Sequence, residues 1–267
     1  MSKKAIFPIT VAAVLILLTA WYFFLHPRRQ TRRIDEGAAF FAAGDYKGAI
    51  ELLKAPASSE ADSPFALRAR LLLARAYTSL NQKDHALRIW KKLEESPDPM
   101  IREEALFNRA NLKTHSGDHG ARELCDDFIR EFPDSARLGE IYLRLARLQK
   151  AAGNILEARD SYHRALDKLA DADLAEAARE ELGELNLRLF LSPRMTEGSR
   201  SYTVRAGDSL SAIARRFNTT AEFLKKANRL ESTVIRPGQT LKVPTETFEV
   251  VVSKSQNPLM LTYGGEY

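Results

Sequence analysis

The chain has 267 residues, enough for more than one domain, and a single cysteine, which excludes an internal disulfide framework. Its net charge of +5 is unevenly spread. Residues 1–33 carry +6, residues 34–200 carry −4, residues 202–244 carry +5 and the tail −2. The basic stretch at 202–244 lacks interleaved exposed aromatics and a recognition-helix pattern, so no nucleic acid is expected as a partner.

Residues 5–25 contain no charge. As a helix they would span about 31 Å, close to the roughly 30 Å hydrocarbon core, with Trp21 and Tyr22 near the headgroups. The run is longer than a signal-peptide core, and Leu18-Thr19-Ala20 is a poor cleavage site, so an uncleaved anchor is expected after a cytoplasmic tip at 1–4. The flanking cations, Lys3 and Lys4 before and Arg28, Arg29, Arg32 and Arg33 after, would by themselves keep the long carboxyl part in the cytoplasm.

From residue 33 to 190 the apolar residues recur at helical spacing. Gly44-Asp45-Tyr46, Asn81-Gln82-Lys83, Ser116-Gly117-Asp118 and Ala152-Gly153-Asn154 each precede an alanine: Ala49, Ala86, Ala121 and Ala158. These alanines lie 37, 35 and 37 residues apart, and a small side chain there lets two helices approach. Tyr46, Tyr77, Trp90, Phe128 and Tyr162 supply the bulk between helices. Four hairpins are predicted, at 33–54, 64–95, 99–132 and 135–170, with a capping helix from 173 to 190. Degenerate helix–turn–helix units with a period near 34 resemble tetratricopeptide repeats. The resemblance implies a platform for a protein partner in the repeat groove, with a plain spacer as the other reading. Cys125 shares a helix face with Ala121, Leu124 and Phe128, which predicts a buried thiol. His115 and His119 flank Gly117 with no further ligand at suitable spacing, so no metal site and no cofactor are expected.

Residues 191–200, polar with one Pro and one Gly, read as a linker. Residues 201–244 form a compact βααβ pattern. Tyr202 and Val204 alternate on a strand, and Gly207-Asp208-Ser209 turns into a helix with Leu210, Ile213, Ala214 and Phe217 on one face. Thr219 and Glu222 suggest a capping box, and Ala221, Leu224 and Ala227 face inward. Pro237-Gly238 signals a type II turn before Leu241 and Val243 on a second strand.

Tyr202, Val204, Gly207-Asp208-Ser209-Leu210, Ile213-Ala214, Leu224, Asn228, Leu230, Ile235, Gly238, Leu241, Val243 and Pro244 match the LysM domain at its own spacings, and the stretch resembles that family. The resemblance implies binding of N-acetylglucosamine-containing glycans such as peptidoglycan. The sugar would lie between the loops Ala206–Leu210 and Arg229–Pro237, and the implied glycan-binding residues are Gly207, Asp208, Ser209, Leu210, Leu230, Ile235, Arg236 and Pro237. Backbone groups would bond the N-acetyl group, and no catalytic residue is required. Such a module is useful only outside the cytoplasm. The expected localisation is therefore the bacterial inner membrane, single-pass, with the carboxyl part in the periplasm.

In the tail, residues 245–267, Phe248, Val250 and Val252 alternate on one strand and Leu259, Leu261 and Tyr263 on another, a candidate hairpin. The run from Val250 to Tyr267 resembles the first hairpin of the L,D-transpeptidase catalytic domain. That family's cysteine nucleophile and upstream histidine have no counterpart here. The fold class expected is mainly α: an anchor helix, a tetratricopeptide-like solenoid, a small βααβ module and a terminal β-hairpin. The function expected is a membrane-anchored, peptidoglycan-binding scaffold; the alternative is the non-catalytic arm of an L,D-transpeptidase.

Overall fold

The computed structural model describes residues 26–59, 63–116, 120–196, 198–245, 248–252 and 259–263. Among them eleven helices and two small two-stranded sheets are formed, in two compact units divided after Phe132.

The first unit holds three hairpins: α1 (His26–Ala42) with α2 (Tyr46–Ala57), α3 (Pro64–Ser79) with α4 (Lys83–Leu93), and α5 (Pro99–Ser116) with α6 (Ala121–Glu131). In the first two hairpins the second helix starts beside its turn because the turn satisfies both helix ends. In the first hairpin Gly44 is left-handed (φ +80°), and the Asp45 amide donates to Phe40 O at 3.0 Å. Asn81 (φ +56°) does the same in the second, with Gln82 N to Tyr77 O at 2.9 Å. Both are helix C-terminal motifs that use up stranded carbonyls. Asp45 then caps α2 through Gly48 N, and Ser63 caps α3 through Ala66 N with Pro64 in the first turn. Ala49, Ala86 and Ala121 are fully buried where paired helices meet. Trp90 is wholly enclosed, and its indole N–H donates to Thr78 Oγ1 at 3.0 Å. Cys125 is buried, as its helix face predicts.

The second unit opens with a fourth hairpin, α7 (Leu138–Ala151) and α8 (Ile155–Lys168), followed by α9 (Ala172–Phe190). Gly153 (φ +80°) repeats the turn, and Ala158 repeats the buried alanine. At Gly139 a Cβ would stand 2.7 Å from the backbone of Lys168 and Leu169, so α7 can approach the end of α8 only with glycine there. Asp171 caps α9 through the amides of Asp173 and Leu174. Tyr162 is fully enclosed, and its hydroxyl donates to Glu181 Oε2 at 2.6 Å. Arg147 pairs with the same carboxylate at 2.7 Å.

The βααβ module comprises β1 (Ser199–Thr203), α10 (Leu210–Arg216), α11 (Ala221–Ala227) and β2 (Thr240–Pro244), with β1 antiparallel to β2 and Tyr202 opposite Leu241. Its core is Val204, Leu210, Ile213, Ala214, Leu224, Leu241 and Val243. The residue that caps α11 is Thr220, through Phe223 N at 3.0 Å, one position later than the predicted Thr219. A second hairpin, β3 (Phe248–Val252) with β4 (Leu259–Tyr263), follows.

The localisation and membrane partnership expected from the sequence are corrected. No helix among the described residues is long and apolar enough to cross a membrane. The two that reach 18 residues, α5 and α9, carry charges along their length. The run at residues 5–25, taken as an anchor, lies outside the described residues, as do His119 and the side chain of His115.

Candidate glycan-binding site

The module places its two loops at one end by backbone pairing. Val204 N donates to Gln239 O, and Gly238 N donates to Val204 O, both at 2.8 Å. The first loop thus leaves the sheet where the second returns to it. Gln239 N closes the turn on Arg236 O at 3.0 Å, with Pro237 second and Gly238 (φ +87°) third, as a type II turn requires.

Asp208 organises the first loop. Its Oδ2 accepts from the Arg205 amide and from the Tyr202 hydroxyl, each at 2.7 Å. The Arg205 amide, then the Tyr202 hydroxyl, hold its carboxyl below the ordinary aspartate value, and the Tyr202 phenol is raised in return. Gly207 (φ +86°) makes the bend, and Ser209 caps α10 through Ala212 N at 3.2 Å. Asp208 and Ser209 therefore use their polar atoms on their own loop.

Leu210 lies on the inward helix face that its spacing predicts. It is 2% exposed and belongs to the module core, because the first residue of α10 points inward. Its side chain has no surface to offer a sugar. Leu230 and Ile235 pack partly on that core from the second loop, and Arg236 and Pro237 are exposed. The loop also presents Val234, 76% exposed, which sequence reasoning passed over because an isolated valine in a polar loop carries no periodic signal. Large apolar side chains that stay in water beside polar backbone suit the C–H face of a sugar.

Asn228 fixes the second loop's origin. Its amide group donates to Leu224 O and Lys242 O and accepts from Lys242 N, tying α11 to β2. Lys242 itself is 3% exposed. Its ammonium donates to Leu189 O (3.1 Å), Phe190 O (3.3 Å) and Ser192 O (3.0 Å) at the end of α9. Cations at a helix C-terminus are favourable because stranded carbonyls and the helix dipole both attract them. Burial pushes the Lys242 pKa down to about 8, and three carbonyls keep its proton in place at neutral pH. The Phe190 and Phe223 rings meet at 4.5 Å beside it. The module is thus bolted to the last helix.

In the first unit, a cleft of about 360 Å³ lies among α5, α6 and the end of α4. Its wall carries Glu94, paired to Arg109, with Oε1 buried and unbonded. Burial pushes the Glu94 carboxyl up, and Arg109 opposes that shift.

Comparison with known proteins agrees with this architecture. Residues 202–244 match the LysM domain model, and residues 40–98 match a tetratricopeptide repeat model. The chain carries a LysM domain and tetratricopeptide-like repeats. Among curated proteins it is 42% identical over 71 residues to the N-acetylmuramoyl-L-alanine amidase sle1 of Staphylococcus aureus (strain USA300), covering 26% of this chain and 21% of the amidase. It is 58% identical over 45 residues to the sle1 amidase of Staphylococcus haemolyticus (strain JCSC1435), covering 17% and 14%. The chain spans about a fifth of the amidases it matches. A tetratricopeptide repeat protein from Parabacteroides merdae ATCC 43184 shares the helical fold, with a TM-score of 0.50 at 19% identity over 61% of this chain and 62% of that one.

Proposed function

We propose that the LysM domain binds peptidoglycan at the cell wall through its N-acetylglucosamine units, and that the helical repeats present a platform for a protein partner. The observation that carries the glycan reading is the convergence of the two loops, with Val234 and Pro237 exposed and the Asp208 loop held rigid. The LysM model match supports it, and so do relatives whose names place them on N-acetylmuramoyl-L-alanine bonds. The glycan residues proposed are Gly207, Asp208 and Ser209 through their loop backbone, and Leu230, Val234, Ile235, Arg236 and Pro237 on the facing loop. Leu210 supports them from the core.

One module with a shallow site binds weakly, with a Kd in the range of about 1 μM to 1 mM. Titrating the full chain with a chitin pentasaccharide should give saturable heat in that range. Val234→Asp, at a residue outside the core, should weaken it about tenfold without moving the melting temperature. Absence of saturation at several millimolar sugar contradicts the reading.

The repeats offer the cleft lined by the carboxylates of Glu94, Glu123, Asp127 and Glu131, which can accept from a cationic group of a partner peptide. If a purified partner binds there, Glu94→Gln should reduce its affinity. A partner indifferent to that change does not use the cleft.

A further inference from the structure

Beside the bolt between α9 and the LysM domain lies a cleft of about 580 Å³ that the glycan groove does not use. Arg188 from the last turn of α9, Arg194 from the segment after it and Arg229 from the end of α11 line it. Leu189, Pro193 and Ile155 make its apolar part, and among the described residues no acidic side chain lines it. All three arginines are exposed, and among the described residues none of their side chains makes an ion pair or hydrogen bond.

Three arginines line one cleft, with no counter-charge among the described residues that line it. The natural candidate within the protein, the negative end of α9, is already spent: Lys242 takes the carbonyls of Leu189, Phe190 and Ser192. Arg229 also sits at a left-handed backbone position (φ +52°) after α11, where glycine or asparagine fits with less strain. The same residue begins the loop proposed to wall the glycan groove.

We propose that this cleft is a carboxylate-binding site for the stem peptide of the peptidoglycan strand whose sugars lie in the groove. Guanidinium forks bind carboxylates in paired hydrogen bonds, and the Leu189–Pro193–Ile155 surface accepts the aliphatic part of a short peptide. The domain's net charge of +5 draws such an anionic ligand in. The site rests on the glycan reading only for the position of the strand.

The test compares three probes on the full chain by calorimetry: a chitin oligosaccharide, a peptidoglycan fragment with the same number of sugars and free stem-peptide carboxylates, and that fragment with its carboxylates amidated. The wild type should bind the carboxylate form about tenfold more tightly than the other two, the worth of one good charge-assisted contact. Arg188→Gln and Arg194→Gln combined should erase that gain and leave chitin binding unchanged. Equal affinity for the carboxylate and amidated forms overturns the site, as does a gain that survives in the double variant. Loss of chitin binding in the double variant also overturns it, since these arginines would then belong to the groove. Should chitin fail to bind the wild type, the glycan reading falls alone, and the free stem peptide becomes the probe. Its binding, lost in the double variant, supports the cleft; its failure to bind overturns it.

Discussion

The repeat hairpins and the LysM domain are held by opposite means. In the hairpins the same few devices recur: a left-handed turn residue, a buried alanine and an enclosed aromatic. No single contact is decisive, because each hairpin packs mainly on its neighbours. Where the LysM domain meets α9, one lysine does most of the polar work, donating to three carbonyls at the end of that helix. Distributed apolar packing tolerates drift in sequence. A single buried clamp does not, but it fixes how the module sits against the end of α9.

The contrast can be broken most forcefully in the repeats. Trp90→Ala leaves a large void in the first unit and should cost about 3–5 kcal/mol in urea unfolding. The LysM domain should keep its fold and its sugar binding. Simultaneous loss of both would mean the two regions depend on each other more than their separate cores suggest.

Lys242→Met should cost about 1–3 kcal/mol, since it strands carbonyls at the end of α9. Both helices and module should stay folded, while protease cleavage between Ser192 and Ser199 rises. The pH response sharpens the point. With a folded pKa of about 8 against an ordinary 10.5, the chain takes up a proton on unfolding between those values. Stability should therefore climb as pH rises from about 8 to 10.5, and the climb should vanish in Lys242→Met.

The smallest effect lies in the first glycan loop. Asp208 titrates below its ordinary value of 3.8 because folded-state donors favour its charged form. Its contribution is present above that pH and lost as pH falls through the depressed folded value. The Arg205 amide resonance should report the transition, and Asp208→Asn should abolish it.

These differences mark what a sequence reveals. Ala49, Ala86, Ala121 and Ala158 could be picked out because repetition makes a small residue visible, and all four are buried. The βααβ order was legible because turn residues and apolar spacing agree along the module. Lys242 was not legible. Between Leu241 and Val243 it reads as the solvent side of an alternating strand, yet α9 covers that face. The depth of Leu210 in the core was legible only as one apolar helix face, because burial at a helix start depends on which way the preceding loop enters. Gly139 gave no signal either: its need for close approach comes from the backbone at Lys168 and Leu169, about thirty residues on. The apolar run at residues 5–25 led to a membrane localisation that the described helices do not support.

The central claim is that the LysM domain holds the chain on the cell wall, and sedimentation with purified peptidoglycan sacculi tests it directly. The full wild-type chain should pellet with the sacculi, be released by soluble chitin oligosaccharide, and pellet much less as Val234→Asp. A chain that stays in the supernatant, or that pellets equally with Val234→Asp and resists the oligosaccharide, would contradict the account.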